Sequence, residues 1–213
     1  MSLQIGSAAI VGWVARGIDA LQSRRDEINS LNVFPVPDSD TGSNMLATLS
    51  SAYEEAQKAD ASDVRAVTAA LAAGAVRGAR GNSGTVLSQV FRAVAEAASG
   101  SGIGVESVQH SLKLAVQHVS QAIANPVEGT ILTVLRHAAI AAEEFEGDSI
   151  EELADTIADA ARDALAKTPS QLPALQQAGV VDAGGAGLVI LLDALADEVS
   201  GRAAVSYTHL TLP

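Results

Sequence analysis

The sequence predicts an all-α fold, eight helices in an antiparallel up-and-down array, and three observations carry that prediction. Apolar residues make up 48% of the 213 residues but aromatics only 3%, so the core must be built from Ala, Val, Leu and Ile; alanine is the best helix former and lets helix axes approach closely. Apolar residues recur at three- and four-residue spacing in one segment after another, the period of a helix with one buried face. No segment alternates convincingly enough to read as a strand, although "AGVVDAGG" could form a short β-like turn.

The elements follow in order. Helix one runs from about Ile5 to Ser30, with Val11, Val14, Ile18 and Leu21 on one stripe, and Trp13 reads as core. The second starts near Gly42 and carries Met45, Leu46, Leu49 and Tyr53. The third follows the cap signal Ser62-Asp63 and ends near Val76. The fourth begins at Asn82-Ser83 with Val86, Leu87, Val90, Phe91 and Val94 facing inward. The fifth spans Val105 to Ile123 on Val108, Leu112, Val116 and Val119, and the sixth about Thr130 to Phe145. The seventh opens with the capping box Ser149-Ile-Glu-Glu152 and ends before Thr168-Pro169. The eighth follows "VVDAGGAG" and runs to about Val199. One domain over residues 1–204 accounts for all of this; the tail 205–213, "VSYTHLTLP", reads as an artefact or the start of a truncated segment and stays outside the functional reading.

Short links make neighbouring helices antiparallel. Polar and glycine-rich sequence concentrates in four links, 32–44, 78–85, 125–130 and 179–187, which follow helices one, three, five and seven. Helix parity therefore sends all four to the same end of the array.

Charge and composition narrow the chemistry. A net charge of −12 repels phosphate backbones, so no nucleic acid is expected as a partner. The absence of cysteine excludes disulfides, thiolate metal sites and cysteine nucleophiles. No uncharged run reaches the roughly 18–20 residues of a membrane span, and a cytoplasmic location is the default expectation. The histidines, His110, His118, His137 and His209, form no Ser/His/Asp pattern.

The richest stretch is "VFPVPDSDTGSNM", residues 33–45, where Pro35 and Pro37 stiffen a loop that carries Asp38 and Asp40. Two close carboxylates repel unless a cation lies between them, and Mg²⁺ accepts one or two carboxylates plus waters and phosphates. A solvated turn is the competing reading. An EF-hand is excluded because its twelfth position would be Leu49. "GARGNSGT", residues 78–85, places glycines before a helix N-terminus, an arrangement suited to phosphate, with Arg77 and Arg80 close by. It is neither a Walker A loop nor a Rossmann fingerprint. Thr130 in "EGTILTV" and Asp182 in "VDAGGAGL" read equally as simple helix caps, while Gly184, Gly185 and Gly187 leave room for a flat ligand or another backbone.

Together "LNVFPVPDSDTGSNM", "GARGNSGTVLSQ", "EGTILTV" and "VDAGGAGL" resemble the nucleotide-binding domain of the dihydroxyacetone-kinase L-subunit family, and within it the N-terminal kinase domain of the bacterial fatty-acid kinase. The resemblance spans about residues 5–199. It implies an antiparallel barrel of eight helices with the nucleotide site at one rim, ATP or ADP as ligand and two Mg²⁺ ions. Carried over by position, Asp38 and Asp40 are the expected metal ligands, with Asn32 near the place of a third aspartate of dihydroxyacetone-type domains. Asp38, Asp40 and Arg80 form the expected catalytic set. Thr41, Asn44, Asn82, Ser83 and Gly84 are expected at the phosphates, and Thr130, Asp182 and Gly184 at the nucleotide's border. Thr41 stands where dihydroxyacetone-type subunits often have histidine, which favours the fatty-acid branch. That branch implies phosphoryl transfer to a fatty acid presented by a lipid-binding partner protein. A dihydroxyacetone-type subunit, a non-catalytic ADP-holding module, a ligand-free scaffold and a homodimer are left open.

Overall fold

The computed structural model describes residues 4–100 and 102–202; the tail at 205–213 and His209 lie outside them. Nine helices are present among the described residues: α1 Ser7–Ser30, α2 Thr41–Ala56, α3 Val64–Gly78, α4 Gly81–Ala97, α5 Val105–Ala122, α6 Ile131–Glu143, α7 Ile150–Gln171, α8 Pro173–Ala178 and α9 Ala183–Val199. β-pairing among these residues is limited to isolated bridges, Ile5 with Ile103 and Ser99 with Gly102. Ile5 therefore precedes the first helix, with Gly6 extended as its N-cap.

Each long helix packs on the next, and α9 returns onto α1, closing a ring of eight. The predicted stripes are its inner wall: Val14 and Leu21, Met45 and Leu49, Leu87 and Phe91, Leu112 and Val119 are all buried. Tyr53 and Val116 sit at its margin, partly buried. α9 differs from the rest, since every residue from Ala183 to Ala194 is buried; a helix apolar on all sides belongs inside a domain. Trp13 Nε1 donates 2.8 Å to the Leu191 carbonyl, tying α1 to the middle of α9. An apolar cavity of about 60 Å³ lies beside Trp13, Phe91 and Leu188. No helix among the described residues is long and apolar enough to cross a membrane.

The expected caps form. Asp63 accepts from the Arg65 N–H at 2.9 Å, and Ser149 from that of Glu152 at 3.2 Å. The seventh helix, however, runs through Pro169 to Gln171 rather than ending before Thr168. Proline removes the hydrogen bond to the carbonyl four residues back, and here Thr168 Oγ1 supplies a substitute donor to that carbonyl, Leu165 O, at 2.7 Å. The chain then breaks at Leu172 and forms α8, a helix unforeseen in the sequence, with proline at its first position. Gly179 closes α8 in the left-handed region at φ +67°. Because α8 lies wholly within one link, the parity of the long helices is unchanged.

Candidate functional site

Three sets of contacts join the four informative links at one end of the ring. A Cβ built on Gly81 would lie 2.6 Å from Asn44 Nδ2, and one on Gly84 2.5 Å from Thr48 Oγ1, so the start of α4 rests on the first turns of α2. Gly187 of α9 packs against the Met45 sulfur. On the other side Asp182 accepts from the backbone N–H of Ile131, and Gly129 lies against Leu172 and the Thr168 carbonyl. The opposite end is equally coherent: Ile5 pairs with Ile103, Gln109 donates to the Ala142 and Phe145 carbonyls, and Arg202 pairs with Asp155 and Asp197.

The first link is built around Asn32, which is 5% exposed. Its Oδ1 accepts from the Asp40 N–H at 3.3 Å, the Thr41 N–H at 3.2 Å and the Thr41 hydroxyl at 2.8 Å, while its Nδ2 donates to the Val36 carbonyl at 3.0 Å. Asn32 thus meets the loop's own groups where a third metal ligand was expected. Thr41 is buried, its hydroxyl committed to Asn32 rather than turned toward phosphate. Asn29 continues the pattern by accepting from the Ser43 N–H at 3.2 Å. These two asparagines take the N–H groups of Asp40, Thr41 and Ser43 at the start of α2. Asp40, formally its N-cap, consequently makes no side-chain cap bond, and Asp38 is exposed. Between them Ser39 adopts φ +54°, a left-handed conformation that side-chain-bearing residues seldom take.

α4 lacks such internal capping. Its N-cap is Arg80, which makes no side-chain cap bond, and Gly81 holds φ +61°. The N–H groups of Gly81, Asn82 and Ser83 have no partner among the described residues, the first closed bond being Gly84 N–H to the Arg80 carbonyl at 3.0 Å. Arg80 and Arg77 diverge. Arg77, still largely exposed, pairs with Glu55 at 2.8 Å; Arg80 is exposed and has no ion pair among the described residues. Asn44 and Asn82 side chains are likewise uncommitted, and Gly84 is buried against Thr48.

On the α6–α9 side the expected border residues turn inward. Asp182 is 6% exposed; its carboxylate accepts from the Gly185 N–H at 2.7 Å and also from Gly184 and Ile131. Burial pushes its pKa up to about 6, against the pull of those three N–H bonds. A Cβ on Gly184 would meet Ile131 at 3.2 Å, and one on Gly185 Val134 at 2.9 Å. The glycines therefore serve helix–helix approach and do not offer a surface for a flat ligand. Thr130, half-buried, donates to the Val127 carbonyl at 2.8 Å. Beside it Glu128 accepts from Arg136 at 2.5 Å and Thr133 at 2.7 Å, which hold its carboxyl below the usual range.

Among the described residues no three Asp, Glu, His or Cys side chains converge as a metal cage. The available donor set is the carboxylates of Asp38 and Asp40 in the loop before α2, a helix whose first turn touches the start of α4 through Asn44 and Gly81. That set fits Mg²⁺, which takes one or two carboxylates and completes its shell with water and phosphate oxygens. An all-protein calcium cage needs more oxygens than the pair supplies.

An eight-helix ring with glycine-rich links gathered at one rim defines a helical domain class, and the comparisons assign it. The DAK2 domain matches residues 35–197, and the chain belongs to that family. It is 36% identical over 206 residues to an uncharacterized protein of Staphylococcus epidermidis, covering 95% of this chain and 37% of that protein. It is 39% identical over 194 residues to one of Staphylococcus saprophyticus, covering 90% and 35%. The chain thus spans little more than a third of these curated relatives. The dihydroxyacetone kinase from C. freundii, crystallised in complex with AMP-PNP and Mg²⁺, shares the fold at a TM-score of 0.67 and 20% identity, over 92% of this chain and 35% of that one.

Proposed function

We propose that this domain holds Mg–ATP at its rim and directs the γ-phosphoryl group to a fatty-acid carboxylate presented by a lipid-binding partner protein. The observation that carries the reading is the distribution of uncommitted polar groups. Among the described residues the side chains of Asp38, Asp40, Arg80, Asn44 and Asn82 and the N–H groups of Gly81, Asn82 and Ser83 have no protein partner, whereas Asn32, Thr41, Thr130 and Asp182 are internally bonded. Asp38 and Asp40 would hold the metal, with Asn32 supporting their loop. The α4 N–H groups would receive phosphate oxygens along the helix dipole, and Arg80 would face charge that develops during transfer. Bound there, Mg²⁺ supplies charge neutralisation on the phosphates. In the transfer a carboxylate oxygen bonds to the γ-phosphorus as the bond to the ADP oxygen breaks, giving an acyl phosphate and ADP. The carboxylate is already ionised at neutral pH, so no general base is needed.

The test is transfer of labelled γ-phosphate from ATP with Mg²⁺, comparing a fatty-acid-loaded partner with a triose-loaded one. Label in the acyl product supports the reading. Label only in the triose product transfers the site to a dihydroxyacetone-type activity. Asp38→Asn with Asp40→Asn should weaken Mg-dependent nucleotide binding by about 100-fold or more with the helical circular dichroism unchanged. Wild-type affinity in that double variant overturns the site.

A further inference from the structure

We infer that Asp182 is a positioning residue, a buried brace that holds the start of α6 against the start of α9 and so sets one wall of the nucleotide site without touching the nucleotide. The inference rests on the reading of the rim as a nucleotide site, but its geometry stands alone. Asp182 belongs to α9 as N-cap, where it accepts from Gly185 at 2.7 Å and from Gly184. The same carboxylate accepts from Ile131, the first residue of α6, 51 positions earlier in the chain. α6 has no side-chain cap of its own; the Thr130 hydroxyl donates to the Val127 carbonyl. Asp182 is held in turn by its own N–H, which donates to Thr168 Oγ1 of α7 at 3.1 Å.

One carboxylate therefore serves two helix N-termini. It is oriented from a third helix through the threonine that also satisfies the carbonyl freed by Pro169. The glycines at 184 and 185 make this geometry attainable, since Ile131, Val134 and Leu165 fill the space any side chain there would need. Burial raises the Asp182 carboxyl, and the N–H groups of Gly185, Ile131 and Gly184 lower it. A carboxylate accepts all three bonds, whereas a protonated carboxyl has one oxygen converted to a donor facing N–H groups. The brace is thus tight when Asp182 is ionised and loosens below about pH 6.

Two measurements on the full chain test this. Amide hydrogen exchange at Ile131, Gly184 and Gly185 should accelerate about tenfold in Asp182→Asn at pH 7, with exchange on α3 and α4 unchanged. The same three amides should lose protection in the wild type, relative to the other rim amides, between pH 7 and pH 5. Mg–AMP-PNP affinity in the wild type should fall about tenfold more steeply over that range than in Asp182→Asn, which shares the ligand's own ionisation but lacks the titrating group. Unchanged exchange at the three amides overturns the brace whatever the nucleotide does. Altered exchange with identical affinity profiles confines it to a structural tie and overturns its positioning role. Absence of nucleotide binding in both proteins overturns the proposed function while exchange still decides the brace.

Discussion

Asp40 and Asp182 both stand at the N-cap of a rim helix, and they are put to opposite uses. Asp182 turns inward, is buried, and satisfies backbone N–H groups of α9 and α6. Asp40 is only half-buried and caps nothing, because Asn32 reaches back from the end of α1 to take that duty. The difference teaches how a fold releases a carboxylate for external work. An aspartate at a helix start is ordinarily consumed by the helix; it becomes available to a cation only when another side chain has capped the helix first.

The comparison can be broken or sharpened in several ways. The largest expected effect is on stability against pH. Asp182 has a folded pKa of about 6, as does Asp193, both raised by burial from an ordinary 3.8. Burial makes the charged form costly to the fold as a whole, even though the charge strengthens the local N–H bonds of Asp182, so the net contribution of these groups to global stability is fully present below about pH 4 and is lost as pH rises through 6. For Asp182 a shift of that size amounts to roughly 3 kcal/mol, and Asp182→Asn should flatten this part of the slope in urea unfolding measured at pH 4, 5, 6 and 7. A slope unchanged by that substitution would contradict the burial of an ionisable carboxyl at Asp182.

Next come the glycines that shape the helix starts. Gly81→Ala meets both a left-handed φ and the Asn44 amide, and should cost about 2 kcal/mol. Gly179→Ala shares the left-handed φ in open space and should cost only about 1 kcal/mol. Equal losses in thermal unfolding would show that Asn44 yields freely. Asn32→Ala removes the cap of α2 and should cost about 1–2 kcal/mol, while also weakening metal binding, since Asp40 is then drawn back to its own helix. A variant that loses stability but keeps full Mg²⁺ affinity would contradict the division of labour between Asn32 and Asp40. The smallest effects belong to the arginines. Arg77→Ala breaks an exposed, solvent-screened pair with Glu55 and should leave both the unfolding midpoint and nucleotide affinity nearly unchanged. Arg80→Ala should leave stability alone and lower nucleotide affinity.

Much of this architecture was legible because it is local. Stripes such as Val108–Leu112–Val119 specify helix faces, and the caps at Asp63 and Ser149 need only the next three residues. Parity then placed the four links at one end without any tertiary information. What stayed hidden depends on chain segments meeting. Nothing near Pro169 announces that Thr168 will supply the missing donor, so the end of α7 and the existence of α8 were not foreseen. Asn32 entered as a ligand through the resemblance, because it stands near the third aspartate of dihydroxyacetone-type domains, whereas its bonds to Asp40 and Thr41 arise only when the loop closes. The border role of Asp182 and Gly184 likewise came from the resemblance, and the contacts of that turn with α6 are set by tertiary packing that the glycine-rich sequence does not reveal.

Trp13 gives the molecule a built-in optical gauge. It is the chain's single tryptophan, 8% exposed, with its ring centroid 5.7 Å from that of Phe91 and its indole bonded to the backbone of α9. It lies about 25 Å along α1 from the rim, counting 17 residues at 1.5 Å each. Its fluorescence therefore reads how α1 seats on α9, deep in the wall and remote from the rim. A rim variant that keeps a blue-shifted emission has lost its chemistry with the barrel intact, and one whose emission moves to the red has admitted water to the interior.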